Sequence, residues 1–305
     1  MKQLPLEGDA DLRRAKRLEW LTIAWMLTVI AAVGFTMGSS QAMRTAWIED
    51  LLSLIPALVF LIAAKLEPRP ETPRFPYGFH RVNSLAFLIA AVALVSVGIS
   101  LLIESVTTLI AQEHVTIEPI TLFGQTFWSG WLMIAALAYS IVPPVVLGRL
   151  KLPVAKRIND KVLHTDAMMQ KADWQTGLAG IAGVVGIGLG YWWADALAAG
   201  LISLSILIDG SKAMVDATAE LIDGTPRALD SMEVSHEAEA LHDALADRYP
   251  GSKVRIRESG RFMHAEVQGA GLGEPNVDLG AIWPGEPART WRFAQLSFVP
   301  EENSA

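Results

Sequence analysis

Cysteine is absent from the 305 residues of this chain. Its absence excludes a disulfide framework, a cysteine nucleophile and any thiolate metal site. Charge is also scarce: Asp, Glu, Lys and Arg make up 19% of the chain, against about 25% in an average soluble protein. The balance is a net charge of -7, which does not favour a phosphate-bearing partner, so no nucleic acid is expected. Hydrophobic residues are abundant at 51%, and most of them lie before residue 215.

They are gathered into runs. A bilayer core needs about 20 apolar residues per helical span, and six stretches meet or approach that length. The first covers residues 19–38 (WLTIAWMLTVIAAVGFTMG after Glu19), the second 46–64, the third 84–109. The fourth covers 127–147, with Pro143 and Pro144 near its end, the fifth 163–189 and the sixth 194–213. Few residues separate the last two, which predicts a tight helical hairpin. The first run is too long for a signal peptide, and further spans follow it.

Basic residues alternate between the connections. They fall in the N-terminal arm, in the second-to-third connection (Lys65, Arg69, Arg74, Arg81) and in the fourth-to-fifth (Arg149, Lys151, Lys156, Arg157, Lys161). The opposite connections hold Arg44 and otherwise no Lys or Arg. By the positive-inside rule this predicts both termini in the cytoplasm. The expected organisation is an N-terminal arm (1–17), a six-helix membrane domain (18–226) and a cytoplasmic α+β domain (227–305). In that tail, 235–249 has helical spacing, while 253–257, 261–268 and 291–299 read as strands around a Ser259-Gly260 turn. So small a domain gains from pairing with a second copy.

Charges inside a span cost about 2.5–3.5 kcal/mol on insertion scales, so those present mark candidate sites. Glu49 and Asp50 open the second span, Glu104 lies on the third, Asp166 and Asp173 on the fifth, Asp195 and Asp209 on the sixth. Asp166 and Asp173 are seven apart and share a helix face with Met169 and Gln170 between them. If the second and fifth spans touch, Asp50 and Asp173 form a carboxylate pair suited to a divalent cation or to protons. The alternative puts Asp50 at the membrane interface and pairs Asp173 with Lys171 or a neighbouring helix. The glycines from Gly177 to Gly190 suggest close helix packing. No arrangement of nucleophile and base suggests an enzyme.

Four motifs, in order, resemble those of the cation diffusion facilitator family. ProTyrGlyPheHisArg at 76–81 resembles its Tyr-Gly-His-Gly-Arg/Lys signature, and Glu104-Ser105 its Glu-Ser. TrpTrpAlaAsp at 192–195 and LeuIleAspGlyThrPro at 221–226 resemble the opening of its sixth span and the lead into its C-terminal domain. The resemblance implies six spans, a ferredoxin-like cytoplasmic tail, a homodimer in the lipid bilayer, and export of a divalent metal ion in exchange for protons. It also implies four ligands, falling here on Asp50, Leu54, Met169 and Asp173. Leu54 cannot bind a metal, and Met169 offers only a thioether, so the set is degenerate. Ser53 and Gln170 are substitute oxygen donors, which would favour a harder ion such as Mn(II), Fe(II) or Mg(II). His80, one place beyond the family's ligand histidine, is a weaker candidate for a second site. His236, His242 and His264 stand apart from one another, as surface or structural residues. The rival reading is a non-transporting regulatory or structural membrane subunit. Short loops and the lack of a targeting segment point to a bacterial inner membrane.

Overall fold

The computed structural model describes residues 6–36, 50–112, 119–122, 125–128, 130–270 and 277–300. Among the described residues six helices form a bundle: α1 (Leu6–Thr36), α2 (Ile55–Leu66), α3 (Arg81–Ala111), α4 (Gly130–Ile158), α5 (Lys161–Gly188) and α6 (Ala194–Leu221). They follow the order of the six apolar runs. Two of them, α3 and α4, are long and apolar enough to cross a membrane among the described residues, with mean hydropathies of 2.7 and 1.9. Ionisable residues in α5 and α6 hold their apolar character down. Glu49 lies outside the described residues, as does Arg44.

Several boundaries differ from expectation. Residues 6–17, expected as an arm, are the first part of α1. Leu12, Ala15 and Leu18 join a core shared with Phe60, Phe87, Val154 and Leu163 from four other helices. Arg157 grips Asp11 through two bonds of 2.7 and 2.8 Å. Between α3 and α4 the backbone forms a hairpin, β1 (Pro119–Leu122) paired with β2 (Gln125–Trp128). The fourth helix therefore starts at Gly130 rather than 127. It also runs past Pro143, Pro144 and Pro153 to Ile158. Each proline removes one backbone donor, but α4 lies along α5 for much of its length, and that packing carries the helix through. Gly177 permits this approach: a Cβ there would sit 2.5 Å from Ile141 Cγ1.

The outer surface of the bundle is apolar, while several polar side chains lie inside it beside the apolar clusters. Leu21, Leu27, Ile62, Ile103, Val142 and Leu201 are exposed, while Glu19, Ser53, Lys151, Asp166, Gln170 and Ser203 are buried. An outer face so continuously apolar suits hydrocarbon and would aggregate in water.

After α6 the chain forms an α+β unit. Helix α7 (His236–Arg248) starts at Ser235, whose Oγ accepts from the Ala238 amide at 3.2 Å, a standard N-cap. Strands β3 (Lys253–Ser259) and β4 (Phe262–Gln268) pair antiparallel, and β5 (Phe293–Val299) pairs parallel to β4. A parallel partner needs a crossover, which is the work of the stretch holding α8 (Leu279–Ile282) and a short 3-10 helix (Pro287–Arg292). Leu241, Leu245, Met263, Val267 and Phe293 fill the core. The three strands fall where the alternation placed them.

The β3–β4 turn is driven into the end of the bundle. The Gly260 amide donates to Ser84 Oγ at 3.0 Å and to Glu220 Oε1 at 3.2 Å. Gly260 has φ +61, and a Cβ would lie 2.6 Å from the His80 carbonyl oxygen, so no side chain is tolerated here. Beside it, Arg261 is 1% exposed and donates to Asp160 and, at 2.7 Å, to Glu67. Lys161 binds Glu220 and Glu258, each at 2.9 Å, and Arg292 donates to Glu258 and Glu237.

Candidate functional site

The second run is not one continuous helix. Residues 50–52 are helical, a turn occupies 53–54, and α2 begins at Ile55. Pro56 accounts for the break: it has no N–H for the Leu52 carbonyl, four residues back. The break redirects the side chains. Leu54 is buried with Ile23, Met26, Ile30 and Ala57 on the α1 side. Ser53 instead faces α5, where its hydroxyl donates to Asp173 Oδ1 at 3.3 Å. Asp50 is partly buried one turn before Ser53. Thus Ser53 and Asp173 meet between the broken segment and α5, with Asp50 one turn before Ser53 on the same segment.

The other candidates stand further apart in role. Met169 is fully buried among Leu94, Val97, Leu101 and Ile206, with Leu52 and Ile55 beside that cluster; its sulfur is in an apolar setting. Gln170 is turned toward α4, its Cβ 3.2 Å from the position a Cβ on Gly148 would take. His80 ends at the foot of α3 and packs edge-on against Phe262, with ring centroids 4.5 Å apart. Burial holds its imidazole below the usual range, so it is neutral at pH 7 and built into the junction with the α+β unit. Lys171 is exposed and lines a recess with Asp209, on a different side of α5 from Asp173. Among the described residues no three or more His, Cys, Asp or Glu side chains are gathered as a ligand set. In the tail, His236 and His242 are exposed, and His264 contacts Gln295 Oε1 at 3.1 Å.

One buried group was not foreseen. The sequence places Lys151 in the connection between the fourth and fifth runs. The continuation of α4 past its prolines carries it into the bundle, where it has no exposed surface and binds Glu19 and Asp166. A helical reading through Pro143 and Pro144 would have placed it.

The model of the cation efflux transmembrane domain matches residues 19–222 of this chain. The chain belongs to the cation efflux family. Its relatives include the probable cation efflux system protein Rv2025c of Mycobacterium tuberculosis, 28% identical over 270 residues, covering 86% of this chain and 74% of that protein. The manganese efflux system protein MneS of Bacillus subtilis is 22% identical, covering 82% and 84%. The zinc transporter ZitB of Escherichia coli is 26% identical, covering 75% and 68%. As a member of the cation efflux family the chain is a membrane cation transporter, and the apolar outer surface of its bundle fits that setting.

The break at Ser53 yields a prediction. Aspartate at position 54 would seem to rebuild the family's paired ligands. Here Leu54→Asp instead places a carboxylate among Ile23, Met26 and Ile30. The expected outcome is lower stability, by about 2 kcal/mol or more, with no gain in metal affinity. Thermal unfolding and metal titration of the purified variant check both halves.

Proposed function

We propose that the chain exports a divalent metal ion from the cytoplasm in exchange for protons, through a site on Asp50 and Asp173 completed by the Ser53 hydroxyl. The reading takes the six helices as membrane spans, both termini as cytoplasmic, the protein as a homodimer and its membrane as a bacterial inner membrane. The contact between Ser53 and Asp173 carries it, because it joins the broken second helix to the fifth one turn from Asp50. Two carboxylates and a hydroxyl are hard oxygen donors, which favour Mn(II) or Fe(II) over a soft ion. Met169 lies one turn from Asp173 as a fourth, weak donor, while Gln170 and His80 serve the bundle and the junction.

In mechanism, the ion enters from the cytoplasm and displaces protons from the two carboxylates. The helices then rock outward, the ion leaves, and protons from outside reload the pair. The test is the purified protein in liposomes with a pH-sensitive dye inside. A panel of Mn(II), Fe(II), Zn(II), Mg(II) and Cu(I) should give metal flux opposed by proton flux, strongest for Mn(II) or Fe(II). Metal flux without proton movement would overturn the exchange, and no flux for any ion would overturn export.

One observation favours a second reading, a non-transporting subunit. Leu54 faces away from the carboxylates and no full ligand set is gathered among the described residues. Transport by the isolated protein removes this alternative.

A further inference from the structure

A cluster of fully buried charge lies in the bundle outside the Asp50–Asp173 pair. Glu19 of α1, Lys151 of α4 and Asp166 of α5 have side chains with 0% exposure. The Lys151 ammonium donates to Glu19 Oε2 at 3.0 Å and to Asp166 Oδ2. If all three are ionised, two negative charges face one positive charge. The second oxygens, Glu19 Oε1 and Asp166 Oδ1, are buried and accept no hydrogen bond among the described residues. A third polar group points to the same place. Gln170, one turn beyond Asp166, is 1% exposed, and neither of its amide atoms has a partner among the described residues. It packs on Gly148, in the turn of α4 just before Lys151.

The neighbouring charges do not repair the imbalance. Of the other charges acting on these residues, Asp173 is acidic, and Asp160 is acidic and already held by Arg261. On α2, Glu67 is held by Arg261, and Lys65 is exposed. Lys16, on α1, lies near Glu67, Arg261 and Asp9. An uncompensated carboxylate in such an interior is strongly unfavourable, and a proton is the smallest charge that removes it.

We propose that Glu19, Lys151 and Asp166 form a proton-binding site, separate from the Asp50–Asp173 pair, that holds one exchangeable proton on the Glu19 carboxyl. With the proton bound, the triad is neutral. When the carboxyl O–H breaks, the proton leaves to water and the triad carries one negative charge. Asp166 and Asp173 lie seven residues apart on α5, a rise of about 10 Å. Across that distance each unit of positive charge by which the ion exceeds the protons it displaces from the pair weakens proton binding at the triad on the order of tenfold. The triad therefore adds a proton to those exchanged at the transport site; this coupling, unlike the site itself, rests on the proposed function.

Infrared spectroscopy of the full-length protein in lipid nanodiscs tests the site without any transport. At neutral pH the wild type should show a protonated-carboxyl C=O band that shifts in D2O. The band should persist when Asp50→Asn and Asp173→Asn are combined, and should be lost when Glu19→Gln or Asp166→Asn is added to that double variant. With Lys151→Met added instead it should roughly double, because both acids then need protons. A band unchanged by adding Glu19→Gln and by adding Asp166→Asn overturns the proposal, and either addition decides alone if the others fail to fold. In Mn(II)-loaded liposomes, Glu19→Gln should lower the number of protons exchanged per metal ion by one. Should transport itself fail, the infrared result still stands.

Discussion

Asp173→Asn is expected to reduce metal flux by at least about 10–100-fold, the range for losing even an outer partner of a metal ligand. Asparagine keeps the shape and can still accept from Ser53, so the bundle should remain folded. What goes is the negative charge that attracts the ion, together with the group that exchanges a proton for it. Ser53→Ala is expected to cost less, about tenfold, because a neutral oxygen contributes less than a carboxylate to binding a hard cation. The pair of variants separates charge from geometry. If Asp173→Asn transports like the wild type while Ser53→Ala does not, the Asp50–Asp173 site is wrong. Initial rates of Mn(II) uptake into liposomes, with each variant's melting temperature as a folding control, decide it.

Arg261→Ala is expected to destabilise the protein by about 3–5 kcal/mol, the cost of stripping one member from a buried ion pair. Arg261 is 1% exposed and binds both Asp160 and Glu67. Asp160 also caps α5, accepting from the Leu163 amide at 2.8 Å, and accepts from Asn83 at 3.1 Å. Losing the guanidinium leaves two acids buried beside each other. The deficit should depend on pH. Burial already holds the Glu67 carboxyl above its usual range, so its protonated form fits the folded state better. Such a group favours folding at low pH and loses that contribution as the pH rises through its folded value. The variant's deficit should therefore be largest at neutral pH and shrink toward the ordinary carboxylate range. Arg261→Lys keeps the charge but not the fork, and should fall between. Denaturant unfolding of the full-length chain at several pH values measures all three.

The helix order was readable because long apolar runs carry a strong signal, and the strands because β3 and β4 alternate about a Ser-Gly turn. Asp50 and Asp173 were legible as rare charges in apolar surroundings. What was not legible depended on backbone direction. Pro56 marks a possible kink, but only the structure shows that it turns Ser53 rather than Leu54 toward Asp173. Lys151 has the sequence signature of a loop lysine, and its burial follows from a helix persisting through prolines that usually end one. Arg261 sits in an alternating strand pattern that says nothing of the helix ends its turn enters.

The Gly260 turn has a consequence for how the chain can be divided. Glu67, Asp160 and Glu220 stand at the ends of helices, and their positive partners include Arg261, which comes from a different unit. The α+β unit thus acts as a counter-ion for the bundle, in the way a dissolved cation screens a bare acidic surface. A chain cut after the sixth helix would lose a layer of neutralisation as well as a domain, and its helix ends would repel. Full-length protein and truncated bundle are therefore expected to differ most at low ionic strength, where no salt can take the missing cations' place.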